Sequence, residues 1–128
     1  MRYTYIQATS PDGRMPSRFQ ERPEDDSVVL VAVYEGEAGA LDHVFRLHNQ
    51  PDRPHGESIR SMVVGDLVVV HPTNKTGPKT YLCDTVGWTQ IHGMSAVHAE
   101  GLALRQPPAH RVANGEQYWD ALLDAHRP

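Results

Sequence analysis

Two short runs in this chain are apolar at every position: Val28-Val29-Leu30-Val31-Ala32-Val33-Tyr34 and Leu67-Val68-Val69-Val70, the second ending at His71. Successive side chains of a strand point to opposite faces. Runs of this kind therefore read as strands covered on both sides of a sheet. A third segment behaves differently. From Arg2 to Thr9 the residues alternate, with Tyr3, Tyr5 and Gln7 on one face and Thr4, Ile6 and Ala8 on the other, which predicts a strand rich in β-formers.

The intervening residues follow from turn chemistry and helical spacing. Ser10-Pro11-Asp12-Gly13 is a turn signal, and the prolines and the acidic cluster up to Asp26 make a surface loop. Between Ala38 and His48, the residues Leu41, Val44, Phe45 and His48 recur at spacings of three, four and seven, which predicts a short amphipathic helix ended by Asn49-Gln50-Pro51. Gly65-Asp66 turns the chain into Leu67. Pro72 to Pro78 is a loop too long for a tight hairpin, Thr80 to Val86 reads as a strand, and Trp88 to Ile91 continues beyond Gly87. Val97 to Arg105 fits a poor helix and a strand equally well. Asn114 with Gln117 has the spacing of a capping box, ahead of a stripe of Tyr118, Trp119, Leu122 and Leu123. The expected fold is α+β: a mainly antiparallel sheet of about four to five strands, one internal helix and one C-terminal helix. At 128 residues this is one domain.

Composition narrows the function. A formal charge of -4, with ten Arg and only two Lys, gives no general electrostatic reason to bind a polyanion. The lone Cys83 rules out an internal disulfide framework. With no signal-peptide core and no window of membrane-spanning length, a cytoplasmic location away from the membrane is expected.

The chemistry-bearing residues do not assemble into a signature. His43 and His48 are five apart and diverge on a helix, and no His-x-x-x-His or Cys-x-x-Cys occurs among the eight histidines. No metal and no cofactor is expected; were there a metal, His55, His71 and His92 would be its ligands, since each lies at an end of or beside the central strands. Cys83 falls inside a strand, where packing is the ordinary role of a free thiol. Asp66 and Asp84 could meet across paired strands as an acid-base couple, but an Asp at a strand entry ordinarily satisfies turn amides. Ser58 and Ser61 lack a nucleophile elbow. No phosphate-binding glycine loop is present.

From Ser58 to Ile91 the chain reads SIRSMVVGDLVVV, a variable loop, then YLCDTVGWTQI. This resembles the core of YodL-like domains, in which a Ser-containing entry and an acidic residue precede an apolar strand and an aromatic-x-x-Asp/Ser-x-x-Gly-aromatic segment follows. The upstream order is similar too: a strand ending in Tyr-Glu-Gly, a helix and a Pro-rich loop. The resemblance covers the middle two-thirds, departs at Val63-Val64 and has no counterpart for Met94 to Pro128. It implies a small protein of a bacterium or a mobile genetic element and no enzymatic activity. The Gly-Asp entry also occurs in PUA-like barrels.

The leading expectation is a noncatalytic protein-binding or accessory protein. Its candidate contact residues are Trp88, Asp66, Asn74, Lys75 and Lys79, its partner is an unidentified protein, and a homodimer is compatible with it. A small hydrolase or metal-dependent enzyme using His71, Asp66 or Cys83 is the rival. A third reading, a PUA-like nucleic-acid module, needs Arg18, Arg22, Arg53 and Arg60 on one basic face.

Overall fold

The computed structural model describes residues 1–9, 29–71, 77–92 and 110–114, together with 118, 120–122 and 124. In chain order the elements are β1 (Arg2–Thr9), β2 (Val29–Glu37), α1 (Leu41–Leu47), β3 (Leu67–His71), β4 (Lys79–Cys83), β5 (Trp88–Ile91) and β6 (His110–Asn114). They build a six-stranded sheet in the order β5-β4-β3-β1-β2-β6, with every neighbouring pair antiparallel. The five strands read from the sequence are there, and β6 joins them at one edge. Asn114, expected to cap a helix, instead ends β6 opposite Val29. The Val97–Arg105 segment and Trp119 lie outside the described residues.

The two sheet faces follow from the alternation of β1. Ile6 and Ala8 lie on an aliphatic face with Leu30, Ala32, Leu67, Val69, Leu82 and Ile91, covered by the buried helical residues Tyr118, Ala121 and Leu122. Tyr3 and Tyr5 lie on the other face with Val33, Val68 and Cys83, beneath Val44 of α1 and Ile59 and Met62 of the connection that follows. The doubly apolar runs thus receive their two covering layers. Each fully buried Leu or Val in them contributes roughly 1.5–3 kcal/mol.

Two local devices adjust the layers. The β1–β2 register shifts between Tyr5↔Tyr34 and Ile6↔Ala32, leaving Val33 without a partner in the ladder. Such a bulge changes the parity of a strand, so Val31, Val33 and Tyr34 all reach the tyrosine face. Gly36 leaves room for the Tyr34 ring, since a Cβ there would stand 2.6 Å from Tyr34 Cε1.

The amphipathic helix is shorter than its periodicity suggests. Ala38 is buried but precedes α1, and Val44 is buried, whereas Phe45 is exposed. A seven-residue helix presents only a narrow stripe to the sheet. The expected strand over Thr80–Val86 ends at Cys83; Thr85, Val86 and Gly87 form the β4–β5 turn, with Gly87 at φ 71.

Candidate functional site

The Gly65-Asp66 turn is the most heavily bonded place among the described residues. Gly65 has φ 105, a conformation that a side chain disfavours, and it delivers Asp66 into the core with no exposure. Five donors meet the carboxylate. They are Tyr5 Oη at 2.9 Å, the amides of Ala8 at 3.1 Å and Val63 at 3.0 Å, and the two terminal guanidinium nitrogens of Arg60 at 2.8 and 2.9 Å. Arg60 also donates to the carbonyls of Ser61 and Ala8, and Gln7 Nε2 donates to Tyr5 Oη and to the Arg60 carbonyl. Burial, together with the Asp66 charge, pushes the Tyr5 phenol upward, so it remains a donor. On the opposite face Tyr118 Oη donates to the Gly65 carbonyl at 2.8 Å. Asp66 therefore ties the 60–66 segment to β1. It is not a contact residue for a partner, contrary to the sequence expectation, because its oxygens are enclosed and occupied.

This arrangement also dismantles the hydrolase constellation. Cys83 lies beside the Asp66 backbone, its N–H donating to the Asp66 carbonyl at 2.8 Å. Burial foremost, then the charges of Asp66 and Asp84, push its thiol up to about 12, so the nucleophilic thiolate is suppressed. His71 stands at the other end of β3, roughly 16 Å along the strand, where its Nε2 meets Thr4 Oγ1 at 2.8 Å. Asp84 is engaged away from Asp66: it accepts from Thr89 Oγ1 at 2.6 Å, and Thr89 pairs with Leu82 on the aliphatic face.

The histidines named as metal ligands are dispersed. His55, at φ 51, lies against the Tyr34 ring at 6.1 Å on the tyrosine face, His71 is buried on the aliphatic face, and His92 is exposed beyond β5. Among the described residues no three His, Cys, Asp or Glu side chains are placed to hold a metal ion. The basic face required of a nucleic-acid reader is similarly interrupted. Arg60 is locked to Asp66, and Arg53 donates to the carbonyls of Ile59 and Gly56. Arg18 and Arg22 lie outside the described residues.

His48 was not singled out as a site by the sequence, yet it is the centre of an aromatic cluster. Its ring is fully buried among Tyr3, Tyr5 and Tyr34, with centroids at 5.8, 4.6 and 5.0 Å, and its Nε2 meets Tyr3 Oη at 2.8 Å. Burial lowers its pKa to about 4, so it is neutral near pH 7. The available signal is its place on the apolar stripe that the spacing predicts over Ala38–His48, at the C-cap of α1. The partner tyrosines, more than forty positions away for Tyr3, gave none.

The exposed chemistry gathers around Trp88. Its half-buried ring packs against the tyrosine-face cluster, and its Nε1 donates to Asp42 Oδ1 at 3.3 Å on the exposed surface of α1. Val86, two residues earlier at the hairpin tip, is 90% exposed, and Phe45, one turn beyond Asp42, is 38% exposed. A half-exposed indole bonded to a surface carboxylate has the composition of an interface anchor. Lys79 is exposed, but it begins β4 whereas Trp88 faces the end of that strand at Cys83, about 13 Å away along the strand. Trp88 and Lys79 therefore do not form one patch, and Asn74 and Lys75 lie outside the described residues. The chain has no match among protein families, curated proteins or solved structures.

Proposed function

We propose that this chain is a noncatalytic protein-binding or accessory protein whose contact surface is centred on Trp88. One observation carries the reading. The described groups capable of chemistry at the centre of the fold, Asp66, Cys83, His48 and His71, are buried and used for packing or for cross-links between strands, while the half-buried Trp88 indole reaches Asp42 on the exposed surface, and Val86 and Phe45 are left exposed. The resemblance of Ser58–Ile91 to YodL-like domains supports placing it in a bacterium or on a mobile genetic element, acting in the cytoplasm. The same reading takes the helical residues between 118 and 124 as a C-terminal helix docked on the aliphatic face.

The test is capture of partners from an extract of the native host with the wild type, Trp88→Ala and, at the far end of β4, Lys79→Glu. A partner retained by wild type and Lys79→Glu but lost on a still-folded Trp88→Ala is the expected result. A partner set that is the same for all three proteins would overturn the assignment.

A further inference from the structure

The two edges of the sheet are built differently. β6 carries Arg111, and its pairing with β2 shifts register between Leu30 and Val31. Charge and irregularity both discourage an edge from recruiting another strand. β5 is Trp88-Thr89-Gln90-Ile91, with no charge, no proline and an unbroken register against β4.

The direction of the β5 backbone follows from its neighbour. The N–H and C=O of Cys83 bond the Asp66 carbonyl and the Gly65 amide, each at 2.8 Å, so they point away from β5. Trp88 is the residue opposite Cys83, and bonded and non-bonded pairs alternate along an antiparallel ladder. Trp88 and Gln90 therefore direct their N–H and C=O groups outward, while those of Thr89 and Ile91 point to β4. Among the described residues no strand lies beyond this edge.

We propose that the β5 edge accepts, as an added strand, an extended segment of a partner protein carrying Lys or Arg opposite Trp88. This specifies the partner for the Trp88 surface and rests on that reading. Two features select the occupant. Four residues span about 13 Å, which suits a peptide strand better than the roughly 800 Å² per partner of a standard interface between folded proteins. A residue directly opposite Trp88 projects on the same face, where it meets both the indole and the Asp42 carboxylate, each attractive to a cation. Asp42 has no ion-pair partner among the described residues.

The probe is the blocked peptide acetyl-Thr-Val-Thr-Lys-Thr-Val-Thr-amide, compared with the same peptide carrying Glu at its centre, titrated into the full ¹⁵N-labelled chain. The expected result is saturable shifts and slowed hydrogen exchange at the Trp88 and Gln90 amides, with the Glu peptide roughly tenfold weaker. Gln90→Pro removes only an outward N–H, leaves the β4 ladder in place and abolishes binding. Should that variant not fold, Asp42→Lys decides: the preference for the Lys peptide disappears. Absence of saturable shifts, unchanged binding by a folded Gln90→Pro, or an Asp42→Lys protein that still prefers the Lys peptide would each overturn the proposal. So would concentration-dependent protection of these amides without peptide, which puts a second copy on the edge. The two readings fail separately. A captured partner lost on Trp88→Ala but kept by Gln90→Pro leaves the Trp88 surface standing and removes strand addition, whereas capture indifferent to both variants removes the surface itself.

Discussion

β3 is closed by two buried polar residues that are treated in opposite ways. Before its first residue, Asp66 meets five donors, two of them from a guanidinium that neutralises it. At its last residue, His71 is bonded through its side chain to Thr4 at 2.8 Å, and its buried Nδ1 has no partner among the described residues. The difference is one of charge. An enclosed carboxylate would cost several kcal/mol without compensation, so the chain converges two backbone amides, a phenol and an arginine on it. An imidazole can shed its proton and tolerate burial with far less. Burial, with a smaller contribution from Arg2, lowers the His71 pKa. His48 repeats the arrangement on the other face, bonded through Nε2 to Tyr3 with Nδ1 unpaired among the described residues; Tyr3 and Thr4 are consecutive residues of β1.

The largest effect is expected where compensation is most complete. Asp66→Ala leaves Arg60 half-buried without its anion and strips the Tyr5 hydroxyl and the Ala8 and Val63 amides of their acceptor. Loss of one partner of a buried ion pair costs about 3–5 kcal/mol, and urea unfolding should show a drop of that size. A change below about 1 kcal/mol, the range of an exposed pair, would mean that Asp66 is no clamp and that the contrast along β3 is empty.

Which parts of this were legible beforehand follows from the range of the interactions. The alternation of β1 sorted Tyr3, Tyr5 and Gln7 from Ile6 and Ala8 correctly, because a strand's faces are set by residues two apart. Gly65-Asp66 was legible as a turn whose carboxylate satisfies amides, as it does for Val63. Arg60 as its counter-ion was not legible, since nothing in local spacing separates a locked guanidinium from a solvated one. Nor was the solvent-exposed Phe45, because periodicity assumes a longer helix than the seven residues of α1. β6 was missed because His-Arg-Val-Ala-Asn has little apolar content, and Asn114 carries a helix-cap signal that its pairing with Val29 overrides.

An intermediate effect should come from pH, through the half-satisfied histidines. Unfolded, His48 titrates near 6.5; folded, it titrates at about 4. The folded state therefore binds fewer protons between these values. The associated stability is complete above pH 6.5 and is lost as the pH falls through 6.5 toward 4. That loss amounts to about 3 kcal/mol, with His71 acting in the same direction. Urea unfolding of wild type and His48→Gln at pH 7.0 and 4.5 would show a smaller drop in the variant. Parallel losses, or a His48 ring resonance titrating near 6.5 in the folded protein, would place the imidazole in water instead.

The smallest effects should carry opposite signs across a single residue. Thr4 and Thr80 are both opposite Val69, one from β1 and one from β4, and both are fully buried. Thr4 Oγ1 is the partner of His71 Nε2, whereas Thr80 Oγ1 has none among the described residues. Valine has nearly the volume of threonine and lacks only the hydroxyl. Thr4→Val leaves the imidazole with no side-chain bond and should destabilise by about 1–2 kcal/mol, the cost of an orphaned buried group. Thr80→Val removes an already orphaned hydroxyl and replaces it with a methyl on an aliphatic face, so it should be neutral or stabilising by up to about 1 kcal/mol. Paired chemical denaturation at pH 7 measures both. If Thr80→Val destabilised as much as Thr4→Val, its hydroxyl would have a partner, and the polar groups on this side of Val69 would be as fully compensated as those at Asp66.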